Sequence, residues 1–214
     1  SPAGKLRWKR RVKIFKDFIG NENKEILEIG CGTGLFTSEI ASTNNKIIAI
    51  DISKDLLEIA RKRVNKKNVT FQIDNAYKSS FKSKSFDYIV GSSVLHHLDV
   101  DLALREFYRL LKDSGKIIFT EPNMLNPQIA LQKNIPFIKK AVGDSPDEKA
   151  FIKKSLEKKM KQNGFRNVEI INFDFLHPAI PRWMLPGMEK IALMVEKIPV
   201  IRSISGSLII KASK

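Results

Sequence analysis

The chain has 214 residues, of which 43% are hydrophobic and 29% charged, with 11 glycines and 9 prolines. This composition is typical of one globular domain over residues 1–214 and excludes wholesale disorder and low-complexity chains. The net charge is +15, which favours anionic partners such as nucleic acid, an acidic membrane surface or a phosphorylated substrate. The single cysteine, Cys31, excludes an intramolecular disulfide and a Cys-rich zinc site, so we expect a reducing, cytoplasmic setting. No apolar stretch approaches the ~18 residues that span a bilayer.

Strand and helix patterns alternate along the first 120 residues. A basic amphipathic helix is predicted within residues 1–20, because the apolar residues of 5–19 fall on one side. Those residues are Val12, Phe15, Phe18 and Ile19. The elements that follow are strands over 26–29, 47–50, 69–73, 86–90 and 116–120, and helices over 35–42, 54–63 and 101–111. Ser53 and Asp99 are placed to cap the last two helices, and a Ser-Gly turn precedes the fifth strand. This alternation predicts right-handed βαβ units and a parallel sheet covered by helices.

The pattern changes after residue 120. A helix is predicted over 150–162, ended by the Asn163-Gly164 C-cap, and strands are predicted over 168–175 and 208–212. Two segments, 122–144 and 176–207, lie outside the alternation and mix prolines and large apolar residues with lysine and arginine.

A glycine-rich loop, Glu-Ile-Gly-Cys-Gly-Thr-Gly over residues 28–34, follows the first strand and precedes a helix. Glycines at such a place let the backbone approach a ligand, and a helix N-terminus offers free N–H groups. A dinucleotide site needs G-x-G-x-x-G, but the third glycine, Gly34, comes one residue early. Glu28 would also lie unfavourably close to a pyrophosphate, and no Gly-Lys-Ser/Thr follows to make a P-loop. A ligand with a cationic portion, such as S-adenosylmethionine, suits the loop better.

Asp51 stands at the end of the second strand, 21 residues beyond Gly30. In sheets of this kind, an acidic residue at that place accepts hydrogen bonds from ribose hydroxyls. A capping role beside Ser53 is the alternative. The loop and the spacing together favour ribose binding.

Four ordered motifs resemble those of the class I S-adenosylmethionine-dependent methyltransferases. They are ILEIGCGTG at 26–34, IIAIDIS at 47–53, FDYIVGSSVLHHL at 86–98 and LREFYRLLKDSGKIIFTEPN at 104–123. The resemblance is to the small-molecule, type-11-like group, whose fourth strand leads into a Leu-His-His-Leu segment. It implies an α/β fold with a doubly wound, seven-stranded, mostly parallel sheet whose last strand is antiparallel, and S-adenosylmethionine as the cofactor.

The resemblance also implies the residues that bind the cofactor. They are Glu28, Gly30, Cys31, Gly32 and Gly34 in the loop, then Asp51 and Ile52, then Asp74, Asn75 and Ala76, and finally Gly91 and Ser92. The loop, Gly91 and Ser92 would hold the methionine end, Asp51 the ribose, and Ile52 the adenine. The family's Gly-Asp-Ala triplet falls on 74–76, so the acceptor of the adenine amino group is Asn75 or, in its place, Asp74.

His96 and Glu121 are the candidate catalytic residues, because each follows a strand whose carboxyl end faces the ligand. His96 would serve as a general base if the acceptor is a hydroxyl or a carbon acid. Alternatively, His96 is structural and Glu121 is a capping or salt-bridge acid. No metal is expected, because His177 is the one remaining histidine beyond the His96-His97 pair and no ligand set is visible.

The two segments 122–144 and 176–207 follow strands expected to end on the cofactor face, so we predict helical lid insertions over the substrate. Their apolar and cationic residues favour a small, partly apolar or lipid-like acceptor, methylated by direct in-line transfer, and peripheral contact with an anionic membrane. A lid packed on the core is the alternative. Two other functions stay open: an RNA methyltransferase and a non-catalytic S-adenosylmethionine-binding protein. No Asn/Asp-Pro-Pro-aromatic motif follows the fourth strand and no RNA-binding module is recognisable, which argues against nucleic acid.

Overall fold

One seven-stranded sheet organises the computed structural model, which describes residues 1–141, 150–177 and 179–214. Its strands are β1 (Glu25–Ile29), β2 (Lys46–Asp51), β3 (Val69–Ile73), β4 (Phe86–Ser92), β5 (Leu111–Pro122), β6 (Arg166–Phe173) and β7 (Ser207–Ser213). Their order across the sheet is β3-β2-β1-β4-β5-β7-β6. The first five strands are parallel, and β7 runs antiparallel to both β5 and β6. The predicted fold class, with its antiparallel last strand, is confirmed.

Helices cover both faces of this sheet. They are α1 (Pro2–Ile19), α2 (Leu35–Ile40), α3 (Lys54–Arg63), α4 (Val100–Leu110), α5 (Pro127–Asn134), α6 (Pro136–Ala141), α7 (Lys153–Gln162), α8 (Leu185–Val195) and α9 (Pro199–Arg202). Short 3₁₀ turns lie over Leu95–His97 and Arg182–Met184. Within the described parts of the chain, no helix has both the length and the apolarity to cross a bilayer.

Local capping signals set several boundaries where the sequence predicted them. The side chain of Ser53 accepts the Leu56 N–H at the start of α3, and that of Asp99 accepts the Leu102 N–H at the start of α4. α1 lies within the predicted residues 1–20 and begins at Pro2, because Ser1 caps it by accepting the Gly4 N–H.

The predicted Ser-Gly turn before the fifth strand lies within β5 instead. The pairing of β4 with β5 jumps from Phe86–Leu111 to Tyr88–Lys116, so residues 112–115 bulge out of the ladder. A bulge of this kind keeps the strand continuous while it accommodates residues that favour turns.

Two apolar clusters pack on the two faces of the sheet. One includes Phe107 of α4 and Leu156 of α7 and packs under Leu27 and Ile29. The other includes Phe15 of α1 and Leu57 of α3 and packs against Ile26. Alternate residues of β1 thus face opposite layers, as expected for a strand buried on both sides.

The two predicted insertions are largely helical. α5 and α6 lie in the first, and α8 and α9 lie in the second. Residues 142–144 of the first and residue 178 of the second lie outside the described residues. Because β5 and β6 run parallel to β1, both insertions leave the sheet at the edge where the glycine-rich loop lies.

Candidate functional site

The glycines of the glycine-rich loop differ in their surroundings, since Gly30 is tightly packed and Gly32 faces open space. Gly30, Gly32 and Gly34 all have positive φ, at 63°, 52° and 74°, a region that side chains rarely adopt. A Cβ on Gly30 would lie 2.4 Å from Cγ2 of Val94, whereas a Cβ on Gly32 would meet no atom within 4 Å. Packing therefore requires glycine at position 30, while Gly32 exposes its backbone to open space.

Asp51 ties this loop to the end of β2. Its Oδ2 accepts the Gly32 N–H at 2.8 Å, and its Oδ1 accepts the Ser53 N–H at 2.9 Å. The helix cap itself is Ser53, whose N–H Asp51 holds. A carboxylate offers about four acceptor positions, and these two bonds leave about two of them; ribose binding by Asp51 stays a prediction.

Two residues of the loop, Glu28 and Cys31, are buried. Glu28 is 2% exposed, and its Oε2 has no hydrogen-bond partner among the described residues. Burial raises the pKa of Glu28 to about 8, which the Thr37 hydroxyl partly offsets. Burial, together with Glu28 and Asp51, also raises the pKa of the Cys31 thiol. The thiol is therefore protonated and unreactive, whereas Glu28 is a buried acid that a cationic group would satisfy.

A cavity of about 440 Å³ opens beside the loop. Its lining combines the ends of β1 and β2 with the segments after β3 and β4: Ile29, Gly30, Ile50, Asp51, Ile52, Leu56, Asp74, Asn75, Ala76, Tyr77, Ser93, Val94, His97 and Leu98. The side chain of Ile52 is 79% exposed at this rim. Six predicted cofactor residues, at positions 30, 51, 52 and 74–76, therefore share one cavity that has apolar walls.

Asp74 and Asn75 differ in how many of their acceptor positions are used. The carboxylate of Asp74 accepts the Asn75 N–H at 2.7 Å and both the N–H and the hydroxyl of Ser80, at 3.1 and 2.7 Å. It also accepts from the Gln72 amide. Asn75 is exposed, and its Oδ1 accepts the Tyr77 N–H. Asp74 is thus occupied in holding the loop, while Asn75 keeps acceptor capacity towards the cavity.

His96 and Glu121 come together after β4 and at the end of β5. His96 Nδ1 lies 2.7 Å from Glu121 Oε2, and Glu121 Oε1 accepts the N–H groups of Val94 and Leu95 at 3.0 and 2.8 Å. The carboxylate is fully buried and the imidazole is nearly so. Glu121 therefore caps this turn and orients the imidazole, as in the capping alternative; catalytic roles for His96 and Glu121 stay predictions.

Ser93 connects two cavities and was not predicted as a site residue. It lines the 440 Å³ cavity and also a second cavity of about 290 Å³, which contains His96, Glu121, Ile129 of α5 and Arg7 of α1. Ser93 has a φ of 59°, and its N–H donates to the Thr120 carbonyl. A serine in the left-handed region is uncommon, but no sequence pattern signals it, because the conformation depends on the neighbouring strand.

Gly91 and Ser92 are not among the residues that line these two cavities. A Cβ on Gly91 would lie 2.5 Å from the Phe119 ring, so glycine there is required by the core. Ser92 Oγ lies 3.3 Å from the Thr120 hydroxyl and receives a hydrogen bond from Arg11. Cofactor contact by Gly91 and Ser92 stays a prediction.

Across residues 1–141, 150–177 and 179–214, no group of three or more His, Cys, Asp and Glu residues could hold a metal.

Comparisons with known proteins agree with this geometry. A protein-family model described as a methyltransferase domain matches residues 27–119. The demethylmenaquinone methyltransferase of Lactococcus lactis is 30% identical over 163 residues, which cover 69% of this chain and 64% of that protein. The chain thus spans less than two thirds of this relative's length.

Solved structures have the same architecture. Haemonchus contortus phosphoethanolamine N-methyltransferase 2, in complex with S-adenosyl-L-methionine, superimposes with a TM-score of 0.70 at 20% identity, covering 97% of this chain and 52% of that one. An S-adenosylmethionine-dependent methyltransferase from Archaeoglobus fulgidus gives 0.66 at 20% identity, covering 96% and 94%.

Proposed function

We propose that the chain is a class I S-adenosylmethionine-dependent methyltransferase, which transfers a methyl group from this cofactor to a small, partly apolar acceptor; the matches to a methyltransferase-domain model and to a methyltransferase support this. The observation that carries the proposal is the junction of two cavities at Ser93. One is lined by six of the twelve predicted cofactor residues, and the other is lined by His96 and Glu121. Two ligands placed in them would meet at this serine, and holding reactants in line supplies up to ~7–11 kcal/mol of barrier reduction in favourable systems.

The residues around the first cavity fit S-adenosylmethionine. Open space at Gly32 admits a ligand close to the backbone, and the unpartnered Oε2 of Glu28 suits an ammonium group. Asp51 would accept hydrogen bonds from the ribose, Ile52 would pack against the adenine, and Asn75 would accept from its amino group. The cofactor supplies a methyl group on a positively charged sulfur, an already activated leaving group.

His96 supplies a proton acceptor at the second cavity. The carboxylate of Glu121 accepts from Nδ1 of His96, which leaves Nε2 as the basic nitrogen. A general base at this place removes the proton from a hydroxyl or carbon acceptor as the methyl group is transferred. Glu121 is the positioning residue, since it fixes both the tautomer and the turn.

An apolar acceptor matches the surroundings of His96. The imidazole also borders a cavity of about 240 Å³ whose walls include Leu95, Leu98, Val100 and Phe151. The Lactococcus relative is named for demethylmenaquinone, a lipid-soluble quinone, and an acceptor of that kind would bury its apolar part here. These walls disfavour a sugar or a nucleotide as acceptor, because the polar groups of either would lose hydrogen bonds to water.

We infer further that the second insertion docks on an anionic bilayer. Trp183 and Val200 are 80% and 81% exposed. Other large apolar residues of this insertion are 37–59% exposed: Met184, Ile191, Leu193, Met194, Ile198, Ile201 and Ile204. Exposed cations, Arg182, Lys190 and Lys197, lie among them. Apolar side chains are stabilised when they enter the membrane interface, and cations are stabilised near anionic headgroups. A lipid-like acceptor would therefore be bound at the bilayer surface.

Cofactor binding and acceptor identity are tested separately. In calorimetry, S-adenosylhomocysteine should bind, and Asp51→Ala should weaken it by roughly tenfold to a hundredfold, as expected for lost charge-assisted hydrogen bonds. Asp113→Ala, which removes an exposed carboxylate paired with Lys84, is the matched control and should leave affinity unchanged. Equal affinities for the wild type and Asp51→Ala would contradict the ribose assignment.

The acceptor is identified by incubating the protein with a native extract and methyl-labelled S-adenosylmethionine, followed by mass spectrometry. Label in an apolar small molecule supports the proposal. Label in RNA supports the RNA methyltransferase instead, and cofactor binding without any labelled product supports a non-catalytic binding protein.

Vesicle sedimentation tests the membrane proposal. Binding should be stronger to vesicles containing anionic phosphatidylglycerol than to pure phosphatidylcholine, and should weaken with salt. The double variant Trp183→Ser/Val200→Ser should lose binding, while Leu102→Ser, at an exposed leucine of α4, should not. No preference for anionic vesicles, or equal binding by the three proteins, would reject this surface.

A further inference from the structure

Three arginines of α1 are turned towards the interior of the protein. Arg7, Arg10 and Arg11 are spaced three and four residues apart, so they share one helix face. This face packs towards the ends of β4 and β6, whereas the lysines at positions 5, 9 and 13 are exposed. The basic character of α1 is therefore divided into a solvent side and an inward side.

Two of these arginines are matched by carboxylates. Arg7 pairs through Nε with Asp174, whose side chain is fully buried. Arg10 pairs with Glu196 at 2.6 Å and lies over the Phe173 ring. Asp174 directly follows β6 and Glu196 ends α8, so these two elements anchor the helix.

Arg11, unlike Arg7 and Arg10, forms no ion pair with a carboxylate of the described residues. Its closest polar contact is Nη1 to Ser92 Oγ, at 3.3 Å, and no carboxylate of the described residues lies within salt-bridge distance. Its Nε is buried without a hydrogen-bond partner in the same part of the chain. Burial and Arg7 lower the pKa of Arg11, whereas the more distant Asp174 and Glu121 raise it. Removing a cation from water without a matching anion is costly, so an additional anion near this helix face would stabilise the protein.

Arg7, on the same helix face as Arg11, lines the second cavity. It lines the 290 Å³ cavity together with His96 and Lys133, and it also lines an adjoining cavity of about 260 Å³. Arg7 uses Nε to bond Asp174, so its two terminal nitrogens stay available to donate to a ligand in these cavities. A guanidinium that is held from behind presents a planar fork, which matches an oxyanion in a bidentate way.

We propose that Arg7 binds an oxyanion group, a carboxylate or a phosphate, on the methyl acceptor, with Arg11 supplying the positive charge behind it. The inference rests on the proposed function and narrows its acceptor to an anionic amphiphile. The apolar part would lie in the 240 Å³ cavity beside His96, which Leu98 and Phe151 line, and the oxyanion would lie towards α1. His96, on the same cavity, would face the atom to be methylated.

The experiment measures binding of four probes to the S-adenosylhomocysteine complex by calorimetry: hexanoate, hexyl phosphate, hexan-1-ol and inorganic phosphate. Hexanoate or hexyl phosphate should bind at least roughly tenfold more tightly than hexan-1-ol, as a charge-assisted pair would give. The preference should fall with Arg7→Gln and persist in part with Arg7→Lys, which keeps the charge but loses the fork. Lys13→Gln, on the exposed side of α1, is the matched control.

The outcomes separate this inference from the proposed function. Tight binding of S-adenosylhomocysteine with no preference for anionic probes in the wild-type protein overturns the oxyanion site alone. Inorganic phosphate binding as tightly as hexyl phosphate also overturns it, because the apolar part would then contribute nothing. A loss of S-adenosylhomocysteine affinity in folded Arg7→Lys would assign Arg7 to the cofactor instead. Failure of the wild-type protein to bind S-adenosylhomocysteine would reject the proposed function itself.

Discussion

His96 Nδ1 lies 2.7 Å from Oε2 of Glu121, and the other oxygen of the same carboxylate holds two backbone N–H groups of the turn that carries the histidine. One buried side chain thus fixes both the position and the tautomer of the imidazole. This arrangement links the end of β5 to the segment after β4, 25 residues apart in the chain.

Changing Glu121 to Gln should lower kcat by about a hundredfold, within the range typical of general acid–base catalysis, and leave the affinity for S-adenosylhomocysteine unchanged. The glutamine oxygen can still accept the backbone N–H groups, but its NH₂ would face Nδ1. The imidazole would then carry its proton on Nε2 and could not act as a base. Steady-state kinetics with the identified acceptor, for this variant and for His96→Ala, provide the measurement.

Glu106→Gln is the control, because Glu106 is another buried carboxylate, paired with Arg109 away from the cavity. It should lower stability without changing kcat. Unchanged kcat in His96→Ala would make the histidine structural.

The buried acid Glu28 should make stability depend on pH. Burial raises its pKa from the ordinary value of 4.5 to about 8, so between these values the folded state holds a proton that the unfolded state has released. Its contribution is therefore complete below about pH 4.5 and is lost, by about 1.4 kcal/mol per pH unit, as the pH rises to 8. Urea unfolding at pH 5, 6.5 and 8 should show this loss for the wild type relative to Glu28→Gln.

Glu106 is the contrasting case for this measurement. Burial raises its pKa, but the hydrogen bonds from Arg109 and Ser79 outweigh burial and lower it. Its contribution is lost only as the pH falls through the lowered pKa, so the difference between wild type and Glu106→Gln should stay constant from pH 5 to 8. Parallel curves for wild type and Glu28→Gln would show that Glu28 is not a shifted acid.

Two loop glycines should respond differently to alanine. Gly30→Ala should destabilise the fold strongly, because its Cβ would overlap Val94. Gly32→Ala should cost about 1–2 kcal/mol of backbone strain and should weaken S-adenosylhomocysteine binding at least tenfold, since the methyl group enters the space where the ligand approaches the backbone. Thermal unfolding and calorimetry distinguish the two effects.

Gly20→Ala is the matched control for strain. Gly20 also has positive φ, 68°, and open space at its Cβ, but it ends α1. Because its ψ of −162° lies in a region that is essentially confined to glycine, Gly20→Ala should lose at least as much stability as Gly32→Ala and keep full affinity. Similar affinity losses in both variants would mean that general loosening, rather than a blocked site, weakens binding.

Asn75 rather than Asp74 should recognise the adenine amino group. Asn75→Ala should lower the affinity for S-adenosylhomocysteine severalfold, yet leave unchanged the affinity for the inosine analogue, which lacks this amino group. Asp74→Asn should instead loosen the 74–80 loop, lower stability by about 1–3 kcal/mol and weaken both ligands alike. If Asp74→Asn abolishes the discrimination between the two ligands, the roles are reversed.

Local patterns in the sequence were sufficient for the elements that lead to the cofactor cavity. The boundaries of α3 and β3 agree with the predicted ranges, because a capping serine, a helical period and a short β-branched run act over neighbouring residues. The glycine-rich loop and Asp51 could also be recognised, since their positions after parallel strands place them at one edge of the sheet.

The acceptor side depended on contacts that no local pattern contains. Arg7 meets Asp174 across 167 positions, and Arg11 meets Ser92 across 81, so the sequence indicated a basic helix but not the direction in which its arginines point. Similarly, the left-handed Ser93 and the occupied carboxylate of Asp74 follow from how β4 meets β5 and how the 74–80 loop folds back. The sequence by itself determined the sheet and the edge that carries the glycine-rich loop through short-range periodicity and capping, while only tertiary packing decided which charges face the second cavity, because that depends on where distant strands end.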